Sequence, residues 1–346
     1  MYFYANVYKM ELEKRLSAIA ALGTAFNNIS EDEFDSLCMR AQNENNWFTR
    51  ENIKSAFQAW ANELTDKKIS QWIHKHKLNP SSPKRIGLIL AGNLPLVGLH
   101  DVLTVLVSGH IACLKYSSQD KALMSWVIRE LTRIEPDFGT QIEIREQMKE
   151  IDAVIATGSD NSARYFNYYF SKMPHIIRQN RVSAAIIKGD ETKEELSKLG
   201  TDIFQYFGLG CRNVAKLFVP EEYDFIPFIE SQLSFESVLQ HHKFQNNYDY
   251  NKSIYLVNSE PHLDSGFFLL REAEEMVSPI SVLFYETYTS EAELALRLSA
   301  VSEKVQCTVS NKAWYSGSRD FGQAQCPALW DYADGVDTLE WLDTLK

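Results

Sequence analysis

Apolar positions recur at helical spacing through the first part of the chain. Leu12, Leu16, Ile19 and Leu22 share one face, and a second stripe runs through Ile53, Phe57, Trp60 and Leu64 to Ile69, Trp72 and Ile73. Residues 12 to about 77 are therefore predicted as amphipathic helices. One opens at Asn28-Ile-Ser-Glu-Asp-Glu33, where Ser30 and Glu33 form a capping signature. His74 and His76 stand among lysines and read as a solvated helix end rather than metal ligands. The turn-rich stretch Asn79-Pro-Ser-Ser-Pro-Lys84 closes this region.

After it the period changes. Short apolar runs at Ile86–Ala91, His110–Tyr116 and Ala153–Gly158 read as strands. Between and after them come helical patterns: Leu99 through Val107, ending at Gly109; a helix starting near Ser118 with Leu123, Trp126 and Leu131; and one carrying Tyr165, Phe166 and Tyr169. Phe166, Tyr168 and Phe170 fit either a core stripe or the wall of a ligand tunnel. Strands alternating with amphipathic helices predict an α/β fold with a parallel sheet covered on both faces. Ligands gather at the strand C-terminal ends of such sheets, where Asn93, Lys115 and Ser159 fall.

Arg178–Lys188 holds a further strand, Lys193–Gln205 a helix, and Val214–Val219 a buried strand. Ser253-Ile-Tyr-Leu-Val257 also reads as a strand, as does the apolar run that ends at Tyr285, and Glu291 to Ser299 as a helix. The expected division is 1–187 for the N-terminal helices with a first α/β domain, 188–320 for a second domain, and 321–346 for a tail. In the tail, Val336, Leu339, Trp341 and Leu342 fit either a homodimer interface or a packed terminal strand.

Composition narrows the function. The 346 residues are 45% hydrophobic and 12% aromatic, as in globular proteins, and carry a net charge of −11. Nucleic-acid binding is excluded for want of a basic face. No apolar run approaches the roughly 20 residues of a membrane span, and the start of the chain lacks a basic leader followed by a long apolar core. Five scattered cysteines without a CxxC pair argue against a disulfide framework or a zinc site, and for the reducing cytoplasm.

The chemistry centres on Cys211. In Gly208-Leu-Gly-Cys-Arg-Asn213 two glycines precede the thiol, allowing a tight turn with uncovered amides, and Arg212 adjoins it. That setting suits a thiolate nucleophile, although a buried core cysteine has the same composition. No GxGxxG occurs. The Thr157-Gly-Ser159 turn can bind a phosphate on free amides or serve simply as a helix N-cap.

Taken in order, these motifs resemble the aldehyde dehydrogenase superfamily, and more closely its acyl-CoA reductase branch of the LuxC type, from about Ile86 to Glu286. The resemblance implies an aldehyde dehydrogenase-like fold, a parallel Rossmann-type cofactor domain joined to an α/β catalytic domain. It makes Cys211 the nucleophile and, through Leu90-Ala-Gly-Asn-Leu-Pro95, Asn93 the oxyanion-hole donor beside the Cys211 amide. Leu114-Lys-Tyr-Ser-Ser118 looks like the motif that holds the adenosine ribose through Lys115. Ala156-Thr-Gly-Ser159 is similar to the turn beneath the cofactor pyrophosphate, implicating Gly158 and Ser159. Glu274-Glu-Met-Val-Ser-Pro-Ile280 looks like the segment whose glutamate, here Glu275, binds the nicotinamide ribose.

Three departures refine the expectation. The region matching the superfamily's Glu-Leu-Gly-Gly-Lys segment is Arg178-Gln-Asn-Arg-Val-Ser183, which has no carboxylate to activate water. Ser118 replaces the glutamate of NAD-preferring relatives, which favours NADPH over NADH. Ser278 replaces a glycine near Glu275. The implied activity is NAD(P)H-dependent reduction of a fatty acyl-CoA or acyl-carrier-protein thioester to an aldehyde, with CoA favoured by the lack of a broad basic patch. The rivals are a CoA-acylating aldehyde dehydrogenase working oxidatively and a non-catalytic scaffold.

Overall fold

The computed structural model describes residues 10–158 and 160–345. They fall into two compact units, one built from the chain up to Gln179 together with the segment from Ala328 onward, the other from Asn180–Pro327.

The first unit begins with four helices, α1 (Leu12–Asn28), α2 (Glu31–Glu44), α3 (Arg50–Glu63) and α4 (Asp66–Ile73). Their starts follow capping chemistry: the hydroxyls of Ser30, Thr49 and Thr65 accept from the backbone N–H groups of Glu33, Asn52 and Lys68. The predicted stripes face inward, with Ile19, Leu22 and Ile53 fully buried. Then follow β1 (Arg85–Ile89), α5 (Leu99–Ser108), β2 (Ile111–Lys115), α6 (Lys121–Ile134), β3 (Ile142–Ile144), β4 (Ala153–Thr157), α7 (Asp160–Phe170) and β5 (His175–Arg178). The helices pack on α6, where Phe26 and Phe57 lie 5.4 and 5.2 Å from the Trp126 ring. The sheet is parallel throughout with order β3-β2-β1-β4-β5. It therefore switches direction between β1 and β4, where α/β sheets open a crevice for ligands. α5 is buried almost all round and stops at left-handed Gly109 (φ 87°), where a Cβ would lie 2.2 Å from Nη1 of buried Arg15.

The second unit contains β6 (Val182–Ile186), α8 (Lys193–Phe204), β7 (Val214–Pro220), α9 (Phe225–Ser231), α10 (His242–Val257), β8 (Leu263–Asp264), β9 (Leu269–Glu272), β10 (Val282–Tyr288), α11 (Glu291–Ala300) and β11 (Val305–Ser310). Its sheet runs β11-β6-β7-β10-β9-β8, parallel except for the β8–β9 pair. A capping box of Thr192 and Glu195 starts α8. The last helix, α12 (Thr338–Asp343), belongs to the first unit.

Three expectations change. The boundary falls after Gln179 rather than after Ile187, because β6 is hydrogen-bonded between β7 and β11 of the second sheet. The tail expected at 321–346 divides, and from Ala328 it joins the first unit. There the buried Arg178 guanidinium binds Asp101 (2.6 Å), the Ala333 carbonyl (2.8 Å) and the Thr338 hydroxyl (3.0 Å). Ser253–Val257 is not a strand but the last turns of α10. Tyr248, Asn251 and Tyr255 form its buried stripe at helical spacing, whereas Leu256 and Val257 are 61% and 83% exposed. Among the described residues no helix is long and apolar enough to cross a membrane.

Candidate active site

Cys211 is half-buried on the turn between α8 and β7. The approach to it is tightly wound: Tyr206 (φ 53°), Phe207 (φ 59°) and Gly208 (φ 76°) are all left-handed. For the two residues that carry a Cβ this costs on the order of 1–3 kcal/mol each and persists only where the surroundings impose it. Two residues do so. The Phe207 ring is buried, 4.3 Å from the His241 ring. Asn213, 2% exposed, donates its amide to the carbonyls of Asp202 (3.1 Å), Ile203 (3.2 Å) and Gln205 (2.8 Å). Those carbonyls stand at the end of α8, where helix acceptors run out of partners. Asn213 Oδ1 meanwhile accepts the Gly210 N–H at 2.8 Å, and the Ser183 hydroxyl donates to the Cys211 carbonyl at 3.1 Å. The turn is thus pinned on both sides of the sulfur.

Asp202, fully buried at the same helix end, accepts from the N–H groups of Gly322 (2.6 Å) and Ala324 (2.9 Å). Burial outweighs those two donors and pushes its carboxyl up to about 7. A cavity of about 180 Å³ lies behind the turn, lined by Phe207, Gly208, Gly210, Phe244 and Phe268, and by the stretch from Val277 to Leu283.

Glu275 is exposed between β9 and β10. Its segment is held by a half-buried ion network around Lys216. Lys216 on β7, fully buried, reaches the Ala273 carbonyl and pairs with Glu286 at 2.9 Å. Arg297 on α11 pairs with the same carboxylate at 2.6 Å and donates to the Glu274 carbonyl at 2.8 Å. Burial lowers the Lys216 ammonium. Burial acts to raise Glu286, but hydrogen bonds from Arg297 and Lys216 bring it below the usual carboxylate range. The Ser278 hydroxyl donates to the Val282 carbonyl at 2.6 Å, so the serine standing for glycine closes the turn after Glu275.

In the first unit, Asn93, Lys115 and Ser118 are exposed at the C-terminal ends of β1 and β2. Lys115 and Ala156 both stand level with Ile89 of β1, one on each side, which puts the Gly158 turn and Lys115 on either flank of the β1 end. A Cβ on Gly158 would lie 2.8 Å from Ser162 Cβ, so the backbone there is bare by necessity. Ser159 lies outside the described residues. Tyr168, on α7, is 78% exposed and so is no part of a core stripe.

The residues that support the site are faint in the sequence, and Asp202 is an ordinary helix aspartate there. Lys216 announced itself as a lysine inside an apolar strand, and Asn213 as an amide at that strand's start. Asp120 carried no signal beyond an ordinary helix N-cap.

The sequence profile of the acyl-CoA reductase family, LuxC, matches residues 29–241. No curated protein matches the chain. Among solved structures, aldehyde dehydrogenase 21 from Physcomitrella patens, in complex with the reaction product succinate, shares 13% identity at a TM-score of 0.64, covering 88% of this chain and 74% of its own. An E. coli NADP-dependent enzyme shares 11% at 0.67, covering 92% and 75%. The Mycobacterium tuberculosis aldehyde dehydrogenase complexed with NAD+ shares 14% at 0.59, covering 87% and 73%. At such identities the likeness is one of fold.

Proposed function

Because the chain belongs to the acyl-CoA reductase (LuxC) family, we propose that it reduces a fatty acyl thioester to an aldehyde through a covalent intermediate on Cys211. The observation that carries this reading is a thiol on a pinned turn in a chain with no carboxylate in the segment Arg178-Gln-Asn-Arg-Val-Ser183. Without a general base, water attack on an acyl-enzyme loses a factor of about 10²–10⁴. The acyl group then survives long enough to be reduced.

The Cys211 thiolate attacks the thioester carbonyl, whose electron pair moves onto oxygen. The Asn93 amide and the Cys211 backbone N–H hold that oxyanion. Collapse expels the CoA or carrier thiolate and leaves a thioester on Cys211. A thiol serves both halves of the reaction, being a good nucleophile and a good leaving group.

The residues present fit a dinucleotide: a bare Gly158 backbone and an exposed Lys115 flank one strand end at the sheet's switch point. Gly158 and Ser159 would face its pyrophosphate, Lys115 and Ser118 the adenosine ribose, and Glu275 the nicotinamide ribose. When bound, reduced nicotinamide supplies the hydride. Ser118, lacking a carboxylate, tolerates a 2′-phosphate that Lys115 attracts, so NADPH is the proposed donor. The thiohemiacetal left on Cys211 collapses to release the aldehyde and restore the thiolate.

The test is the intact mass of wild type and Cys211→Ala after incubation with medium- and long-chain acyl-CoA in the absence of cofactor. The expected result is one acyl adduct on wild type alone, discharged by NADPH with release of aldehyde. An equal adduct on Cys211→Ala would overturn the assignment.

A further inference from the structure

We propose that Asp120 is a positioning residue that fixes the loop bearing Asn93 to the turn bearing Lys115 and Ser118. The inference rests on the function proposed above and concerns how its two groups of ligands are kept in register.

Asp120 is the N-cap residue of α6, yet its side chain makes no cap hydrogen bond. An aspartate in that position ordinarily accepts an N–H from the first turn of its own helix. Here the Ala122 N–H is taken by Glu44 Oε2 from α2, at 2.7 Å. Asp120 is thereby free to reach across 24 residues, and its Oδ2 accepts the Leu96 N–H at 2.8 Å. Leu96 is fully buried and left-handed (φ 58°), a conformation a leucine does not hold unaided. The carboxyl is 1% exposed and its Oδ1 has no hydrogen-bond partner. A buried carboxyl so placed costs stability that a helix cap alone does not need.

The two segments are also in direct contact. A Cβ on Gly92 would lie 2.4 Å from the Ser117 hydroxyl and 3.1 Å from the Asp120 nitrogen. On the other side Asn45, 5% exposed, donates to the Gly92 carbonyl at 2.9 Å. Exposed Asn93 thus stands on a loop held at Gly92 by Asn45 and at Leu96 by Asp120, and Asp120 lies two residues beyond Ser118. Burial raises the Asp120 carboxyl well above its ordinary range, with Glu44 adding in the same sense. Asparagine, which keeps the size of the side chain and an acceptor oxygen, is its nearest replacement.

Two quantities test this: the rate of CoA release in a single acylation turnover without cofactor, and the Kd for NADPH by fluorescence titration. Asn93→Ala should slow acylation alone, and Lys115→Ala should weaken NADPH alone. Asp120→Ala should impair both, each by about tenfold, as expected for the loss of one buried hydrogen bond. Asp120→Asn, which keeps an acceptor for the Leu96 N–H, should restore both to within about threefold. If Asp120→Ala does not fold, Gly92→Ala serves instead, since its methyl group wedges the same two segments apart and should give the same double defect. Wild-type values for both quantities in folded Asp120→Ala, or a defect in one alone, would overturn the proposal. Wild type that neither releases CoA nor binds NADPH would instead overturn the proposed function, and this inference with it.

Discussion

Asn213 and Gly210 bind each other twice: the Gly210 N–H donates to Asn213 Oδ1 at 2.8 Å, and the Asn213 N–H donates to the Gly210 carbonyl at 3.0 Å. The two residues between them are Cys211 and Arg212, so this pair closes the turn on which the proposed nucleophile stands. A buried amide, and not the glycines alone, holds this turn.

Replacing that amide should therefore show in both stability and reactivity. Asn213→Ala strips partners from three helix-end carbonyls and one N–H, and should cost about 2–4 kcal/mol of stability. Asn213→Asp should be at least as damaging, since a carboxylate would face the same three carbonyls. Urea denaturation reads the first effect and the rate of acyl adduct formation on Cys211 the second. A variant as stable as wild type would refute the clamp.

Lys216→Met should loosen the Glu275 segment. The substitution keeps the apolar stem but leaves Glu286 paired only with Arg297 and the Ala273 carbonyl without its cation. Breaking a fully buried pair from one side costs about 3–5 kcal/mol, and Glu286 is 22% exposed. With Arg297 still in place, a loss nearer 2–3 kcal/mol is expected. NADPH binding should weaken while acylation without cofactor stays near wild type. Unchanged NADPH affinity in the folded variant would break the link between this network and Glu275.

The Asp202 carboxyl provides a pH signature. Its native value of about 7 lies above that of an unfolded aspartate, so the native state holds a proton that the unfolded state gives up. Its contribution to stability is complete below the unfolded value and is lost as pH climbs through about 7. Asp202→Asn cannot titrate and accepts only one of the N–H groups of Gly322 and Ala324. The variant should be less stable than wild type in mild acid, and the gap should narrow toward pH 8. Thermal melts of both proteins between pH 5 and 8 decide this, and a gap that widened with pH would contradict the sign.

Cofactor choice should turn on position 118. Ser118→Glu would set a carboxylate against a 2′-phosphate and should raise the KM for NADPH about tenfold or more, with much less effect on NADH. Paired KM measurements with the two cofactors check it. An equal change for both would remove Ser118 from the discrimination.

Much of this architecture was legible in the residues themselves. The helical stripes from Leu12 to Ile73, the strand–helix alternation after Ile86, and the ordered motifs around Asn93, Lys115, Cys211 and Glu275 are local patterns. A period of two or 3.6 residues, a cap or a tight turn needs only near neighbours to declare it. Ser253–Val257 looks like a strand because a short β-branched and aromatic run has no period of its own, and only packing of Tyr248, Asn251 and Tyr255 decides that it is helix. Tertiary structure alone placed β6 in the second sheet and returned the tail to Arg178. The same holds for the supporting groups. Asp120 meets Leu96 across 24 residues, Lys216 meets the Ala273 carbonyl across 57, and Asp202 meets Gly322 across 120. Each is a buried polar group whose partner is set by where the folded chain returns, and no spacing along the sequence encodes that return.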